Sequence, residues 1–119
     1  MNSPFLDEKK VLENDLSYAF FDNYPVTDGH MLVVPKRLVS QIFDLNDAEY
    51  KACFDLVKEV QIFLKKKFNP DGFNIGVNCG KDSGQTIFHA HIHIIPRYKG
   101  DVKDPSGGVR NIIPGKGKY

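Results

Sequence analysis

The chain has 119 residues, 41% of them hydrophobic and 26% charged, with a formal net charge of +1. A chain of that length fits one domain that buries roughly two-thirds of its unfolded surface, so folding requires neither a metal nor a disulfide. The near-zero charge excludes a global field for DNA, RNA or an anionic membrane and leaves only local anion recognition.

Two cysteines, Cys53 and Cys79, stand apart from any Cys-X-X-Cys pair, which argues against a thiolate zinc site. No apolar run approaches the ~20 residues needed to cross a bilayer, and no signal-like hydrophobic region opens the chain, so a reduced cytoplasmic setting is expected.

In chain order, Met1–Asp7 reads as a polar lead-in, Lys9–Glu13 as a brief strand and Asn14-Asp15 as a turn. Ser17–Asn23 is aromatic-rich and strand-like; Tyr24–Gly29 is a turn that joins it in a hairpin to a second apolar strand, His30–Pro35. Leu38–Leu45 reads as irregular or one short helical turn. Asn46 and Glu49 then have the spacing of a capping box. Beyond it Cys53, Leu56, Val57, Val60, Phe63, Leu64 and Phe68 recur at intervals of three and four, one apolar stripe on a helix of about six turns. Lys65-Lys66-Lys67 suits the negative end of that helix as a solvated run, and Asn69-Pro70-Asp71-Gly72 stops it.

Phe73–Asn78 is a further strand, and Cys79–Gln85 is a glycine-bearing loop leading into Phe88–Arg97. In that last stretch His89, His91 and His93 alternate with Ala90, Ile92 and Ile94, the period-2 pattern of a half-buried strand. On a strand the three imidazoles point the same way, successive ones about 6.6–6.8 Å apart. Residues from Lys99 onward are rich in Gly, Pro and Lys and read as coil, with Val109 and Ile112-Ile113 as one docked apolar patch or subunit contact. The sum is an α+β fold, a single domain over 1–119: about five antiparallel strands, one long helix over one sheet face, a short helical segment, and a coil-like tail from about residue 99.

Three functions are open to the histidine row. Imidazoles at i and i+2 can ligate zinc, but the strand offers no carboxylate or thiolate beside them. They can also be satisfied imidazoles without chemistry, although clustered ionisable groups call for a reason. The third is nucleophilic catalysis: neutral imidazole attacks phosphorus without a separate base, and crowded imidazoles oppose one another's protonation. Gly80 and Gly84 allow close backbone approach to phosphate, Gln85 and Thr86 bring uncharged donors, and Lys81 is either electrostatic help or a solvated lysine.

His89-Ala90-His91-Ile92-His93-Ile94-Ile95 matches every position of His-φ-His-φ-His-φ-φ, with φ apolar, and so resembles the histidine triad (HIT) family of nucleotide hydrolases and transferases. Asp22–Pro25, Gly29–Arg37 and Asn78–Thr86 resemble the family's other blocks, so that the likeness covers most of residues 16–98. The resemblance implies His91 as a nucleophile that becomes transiently nucleotidylated, His93 as its partner at the α-phosphate oxygens, and His89 and His30 as supporting members of the cluster. It implies Asp22 and Asn23 at ribose, and Asn78, Gly84, Gln85 and Thr86 at the phosphates or nearby; Asp22 also reads as a plain turn residue before Pro25.

The implied reaction is two displacements at an α-phosphorus that release a nucleoside monophosphate. The resemblance implies no tightly bound metal or cofactor, with magnesium brought, where it is used, by a polyphosphate substrate. The partners implied are a small-molecule nucleotide and a second copy in a homodimer, without nucleic acid or membrane. The N-terminal zinc ligands of some branches have no counterpart in Met1–Phe20. Ile95–Val102 and Gly107–Arg110 look most like microbial dinucleoside polyphosphate hydrolases, with Arg97, Lys99 and Arg110 either meeting the polyphosphate or solvated. The alternatives are a purine nucleoside phosphoramidase, which shares the nucleophile, and a nucleotide-binding sensor with little turnover.

Overall fold

The computed structural model describes residues 3–118; Met1, Asn2 and Tyr119, which end the expected lead-in and tail, lie outside the described residues. Five antiparallel strands form one sheet: β1 (Leu12–Glu13), β2 (Ser17–Phe21), β3 (Met31–Pro35), β4 (Gly72–Gly76) and β5 (Ile92–Arg97), in the order β1-β2-β3-β5-β4. A single long helix, α1 (Asp47–Phe68), lies between β3 and β4 in the chain. The α+β architecture expected from the sequence is the one observed, with a 3-10 turn at Ile42–Asp44 as the short helical segment.

The helix starts where its cap dictates. Asn46 Oδ1 accepts the Glu49 amide at 2.8 Å and Glu49 Oε1 accepts the Asn46 amide at 3.0 Å, so two otherwise orphaned donors are satisfied. Glu49 also accepts both Nε and Nη2 of Arg37 at 2.8 Å, which ties the chain leaving β3 to the helix and holds the Glu49 carboxyl at about 2. At the far end Asn69 turns left-handed (φ 50°), and Lys65, one of the run expected to be simply solvated, donates Nζ to the Pro70 carbonyl at 2.8 Å.

The predicted stripe is the buried one. Cys53, Leu56, Val57, Val60 and Leu64 pack on Ala19, Met31, Val33, Ile92 and Ile94, which line one sheet face. Each fully buried aliphatic side chain contributes roughly 1.5–3 kcal/mol, so this layer is the main fastening of helix to sheet. The opposite face carries Tyr18, Phe20, Leu32 and Val34, and Phe5 covers them.

Three expectations need correction. The histidine segment is not one strand: β5 begins at Ile92, so His89 and His91 precede it and only His93 lies within it. Beyond Ile92 the ladder partner is lost, because the Ala90 amide donates to Val39 and the His89 ring takes the Pro35 carbonyl that a strand amide would have used. Second, the lead-in is not merely polar, since Phe5 is buried beneath the sheet. Third, the tail is not all coil: it includes a five-residue 3-10 helix (Gly108–Ile112) beside β4, and Val109, Ile112 and Ile113 are exposed on the single chain.

Candidate active site

His93 stands opposite Leu32 in the β3–β5 register, on the sheet face turned away from α1. His30, immediately before β3, lies tilted against it with ring centroids 5.2 Å apart and planes 41° from parallel, and the His91 ring meets His93 edge-on at 5.0 Å. His30, His91 and His93 line one cavity of about 410 Å³, within the size range of small-molecule sites. His89 does not line it.

Backbone groups decide which ring nitrogens carry protons. His91 Nδ1 lies 2.8 Å from the His89 carbonyl, an acceptor only, so Nδ1 holds the hydrogen and Nε2 keeps the lone pair. The Val26 amide donates to His30 Nδ1 at 3.1 Å, which places the His30 proton on Nε2. That N–H faces His93 Nδ1 at 3.0 Å, so Nδ1 accepts and His93 carries its own proton on Nε2. The outcome is a lone pair on His91 and an N–H on His93, side by side. His89 is wholly buried; its Nε2–H donates to Pro35 O at 2.7 Å and its Nδ1 accepts from the Ser3 hydroxyl. It bears on the cavity only through His91, whose Nδ1–H its carbonyl accepts.

Burial is the first cause that holds His93 down at about 4, with His91 and His30 adding to it against Asp22. Burial likewise lowers His30, partly offset by Asp22, whose Oδ2 lies 3.5 Å from His30 Nε2. Burial thus favours the neutral form of His30 and His93, and neutral imidazole is the form that acts as a nucleophile.

Asp22, Asn23, Asn78, Gly84 and Thr86 also line the cavity. Asp22 Oδ1 accepts the Tyr24 amide at 2.9 Å, which makes it a turn residue as well as a wall residue. Asn23 Nδ2 is engaged by Glu8 Oε1 at 2.8 Å. Gly84 sits at φ 95°, a left-handed position at the end of the 3-10 turn Lys81–Ser83. Gln85 is placed elsewhere, contrary to its expected phosphate contact. Its Oε1 accepts the Gly80 amide at 2.9 Å and its Nε2 donates to Ser40 O at 2.7 Å and Ile87 O at 3.1 Å, so the buried amide is spent on bracing the loop. Lys81 is exposed and outside the cavity, and Arg97 is committed to Asp101 (2.8 Å, two bonds) and Asn74 (2.6 Å).

Sequence reasoning missed the wall formed by Phe5, Glu8, Phe20 and Leu32. Phe5 meets His91 edge-on at 5.4 Å. Phe20 and Leu32 carried a usable signal, since alternation within their strands puts them on the face away from the helix stripe; Phe5 and Glu8 carried none.

Asp22, His30 and His93 bring three potential metal-binding atoms within 4.8 Å of one another. Coordination through His30 Nε2 would drive its proton to Nδ1, straight into the Val26 N–H. The donor set thus suits a hydrogen-bond relay better than a cation.

A family model described as "HIT domain" matches residues 4–100. The chain is 50% identical over 88 residues to the Caenorhabditis elegans nitrilase and fragile histidine triad fusion protein NitFhit, covering 74% of this chain and 20% of that one. It is 43% identical over 89 residues to a Schizosaccharomyces pombe bis(5'-nucleosyl)-tetraphosphatase (asymmetrical), covering 75% and 49%. The crystal structure of a HIT family protein from Bacillus anthracis superposes with a TM-score of 0.74 at 42% identity, covering 77% and 65%. The chain thus spans between a fifth and two-thirds of the length of these relatives.

Proposed function

The chain belongs to the HIT domain family, and on that premise we propose that it hydrolyses dinucleoside polyphosphates or related nucleotide conjugates at the α-phosphate through a nucleotidyl-histidine. The observation that carries this reading is the proton arrangement at the rings: His91 with Nδ1–H on the His89 carbonyl and a free Nε2 lone pair, beside the His93 N–H.

In the first step His91 Nε2 forms a bond to the α-phosphorus while the bond to the bridging oxygen breaks, and the leaving nucleotide takes the electron pair. The cationic ring that results keeps its Nδ1–H on the His89 carbonyl, and His93 Nε2–H donates to phosphoryl oxygen. Water then attacks phosphorus, the P–N pair returns to Nε2, and a nucleoside monophosphate leaves with release of a proton. Asp22 accepts from ribose hydroxyls, and Thr86, Asn78 and the Gly84 backbone face the phosphates. Gln85 acts only by holding that loop. Magnesium belongs to the substrate.

Dinucleoside polyphosphates are favoured over phosphoramidates by the named relatives, the tetraphosphatase above and a bis(5'-adenosyl)-triphosphatase from Dictyostelium discoideum that is 39% identical over 90 residues. A homodimer belongs to the same reading: β4 is a sheet edge, and Ile75 on it and Val109 and Ile112 beside it are exposed apolar residues that a second copy would cover. A reduced cytoplasmic setting fits the two free cysteines.

The test is intact-protein mass spectrometry after rapid acid-free quench, with wild type and His91→Ala mixed with a diadenosine polyphosphate and separately with an adenosine phosphoramidate. A nucleotidyl adduct on wild type alone is expected, forming faster with the polyphosphate. Product from both proteins without an adduct would refute the covalent step.

A further inference from the structure

The Tyr24–Gly29 turn does more than connect two strands. It carries the Val26 amide that sets the His30 proton, and it is itself exposed, with Val26 67% accessible. An exposed turn holds a backbone N–H on a buried ring only if something fixes it. Two hydrogen bonds from outside the cavity do so. Thr27 Oγ1 donates to the Pro96 carbonyl at 2.6 Å, and the Tyr98 hydroxyl donates to the Asp28 carbonyl at 2.6 Å. Both tethers end on the segment that closes β5, the strand that carries His93. The turn that orients His30 is thereby referenced to the same strand as the ring His30 must meet. Within the turn, the His30 amide returns to the Thr27 carbonyl at 3.2 Å.

We infer that Thr27 and Tyr98 are positioning residues that fix the tautomer of His93 through Val26 and His30. With the Val26 amide in place, His30 must accept at Nδ1 and donate from Nε2, so His93 offers an N–H to the cavity. With the turn released, His30 can hold its proton on Nδ1 and turn a lone pair toward His93. His93 then takes its proton on Nδ1 and presents a lone pair to the cavity, next to that of His91. Phosphoryl oxygen would meet two acceptors instead of an acceptor and a donor. No charge changes hands in this exchange; two protons change nitrogens. Neither residue lines the cavity, so neither touches substrate in the proposed reaction.

Histidine-selective long-range ¹H–¹⁵N correlation spectra of the free protein read the tautomers directly. The wild type is expected to show His30 and His93 protonated on Nε2 and His91 on Nδ1. Thr27→Val should give mixed His30 and His93 tautomers while His91 is unchanged, Thr27→Ser should restore the wild-type pattern, and Tyr98→Phe should move it in the direction of Thr27→Val. A wild type with His30 protonated on Nδ1 overturns the inference without any variant having to fold. Unchanged tautomers in folded Thr27→Val and Tyr98→Phe overturn it too. A kinetic arm rests on the hydrolase reading: with a diadenosine polyphosphate, Thr27→Val should lower kcat about tenfold with KM unchanged. If no turnover is found in wild type while the tautomers behave as stated, the hydrolase reading fails and the positioning role stands.

Discussion

Acid should destabilise this fold through its histidines well before its carboxylates titrate. In the folded chain His93 is held at about 4 against an ordinary 6.5, first by burial and then by His91 and His30. A depressed imidazole stays neutral in the fold while the unfolded chain binds the proton, so stability is complete above about pH 6.5 and is lost as pH falls toward 4. Between pH 8 and pH 5 this one group costs about 2 kcal/mol. His30 and His89 are lowered as well and add loss of the same sign. Glu49, held at about 2 beside Arg37, loses its contribution only below about pH 4.5, in a separate window. His93→Asn removes the titrating ring yet leaves an amide oxygen to accept the His30 N–H. Urea midpoints measured from pH 8 to 5 should fall more steeply for wild type than for this variant. The difference at pH 5 should be about 1–2 M for a slope of 1–2 kcal/mol/M. Parallel curves would refute the reasoning, because they would mean that His93 protonates as readily in the fold as in the unfolded chain.

Three further outcomes are expected. Phe5→Ala removes a buried ring packed on Phe20, His89 and His91, so it should cost about 3 kcal/mol in denaturant titration; an unchanged midpoint would mean that this wall does not form in solution. Gly29→Ala should cost about 2 kcal/mol or more by the same measurement, since φ is 89° and a Cβ would sit 2.9 Å from the Phe68 ring; a neutral result would show that the turn relaxes freely. Asp22→Ala should weaken ribonucleotides about tenfold more than deoxyribonucleotides in calorimetric titration, and equal losses would remove its ribose role.

The parts of the fold legible in the sequence are those whose signal is local and periodic. The Asn46–Glu49 cap and the Cys53–Leu64 stripe define α1 almost to the residue, because both depend on contacts three and four positions apart. The β2–β3 hairpin followed from its aromatic and apolar runs on either side of the Tyr24–Gly29 turn. The histidines were legible as a cluster but not as an arrangement. Alternation puts His89 beside His91 and His93 only if the ladder continues past Ile92, and whether it does depends on Val39 and Pro35, some fifty residues away in sequence. Gln85 misled for a related reason. A buried amide can serve a ligand or its own loop, and only the positions of Gly80, Ser40 and Ile87 decide which. Phe5 sits in a segment with no period at all.

The cavity's charge separates an enzyme from a binding module better than its shape does. A protein built to retain a nucleotide polyanion would be expected to set lysine or arginine around the phosphates. Among the described residues lining this cavity there is no lysine or arginine, while Glu8 and Asp22 are both present. His93 is kept neutral by burial, so it adds no standing positive charge either. Such a surface gains little from the ground state of an anionic substrate. In the proposed mechanism it would favour the cation formed on His91 as the bond to phosphorus forms, with the His89 carbonyl on its Nδ1–H and the Asp22 carboxylate beside His30. Interactions that grow only as charge develops raise kcat rather than affinity. On the same proposal the ring protons fixed by backbone groups matter, since a scaffold that merely held nucleotide would gain nothing from a lone pair on one ring and an N–H on the next.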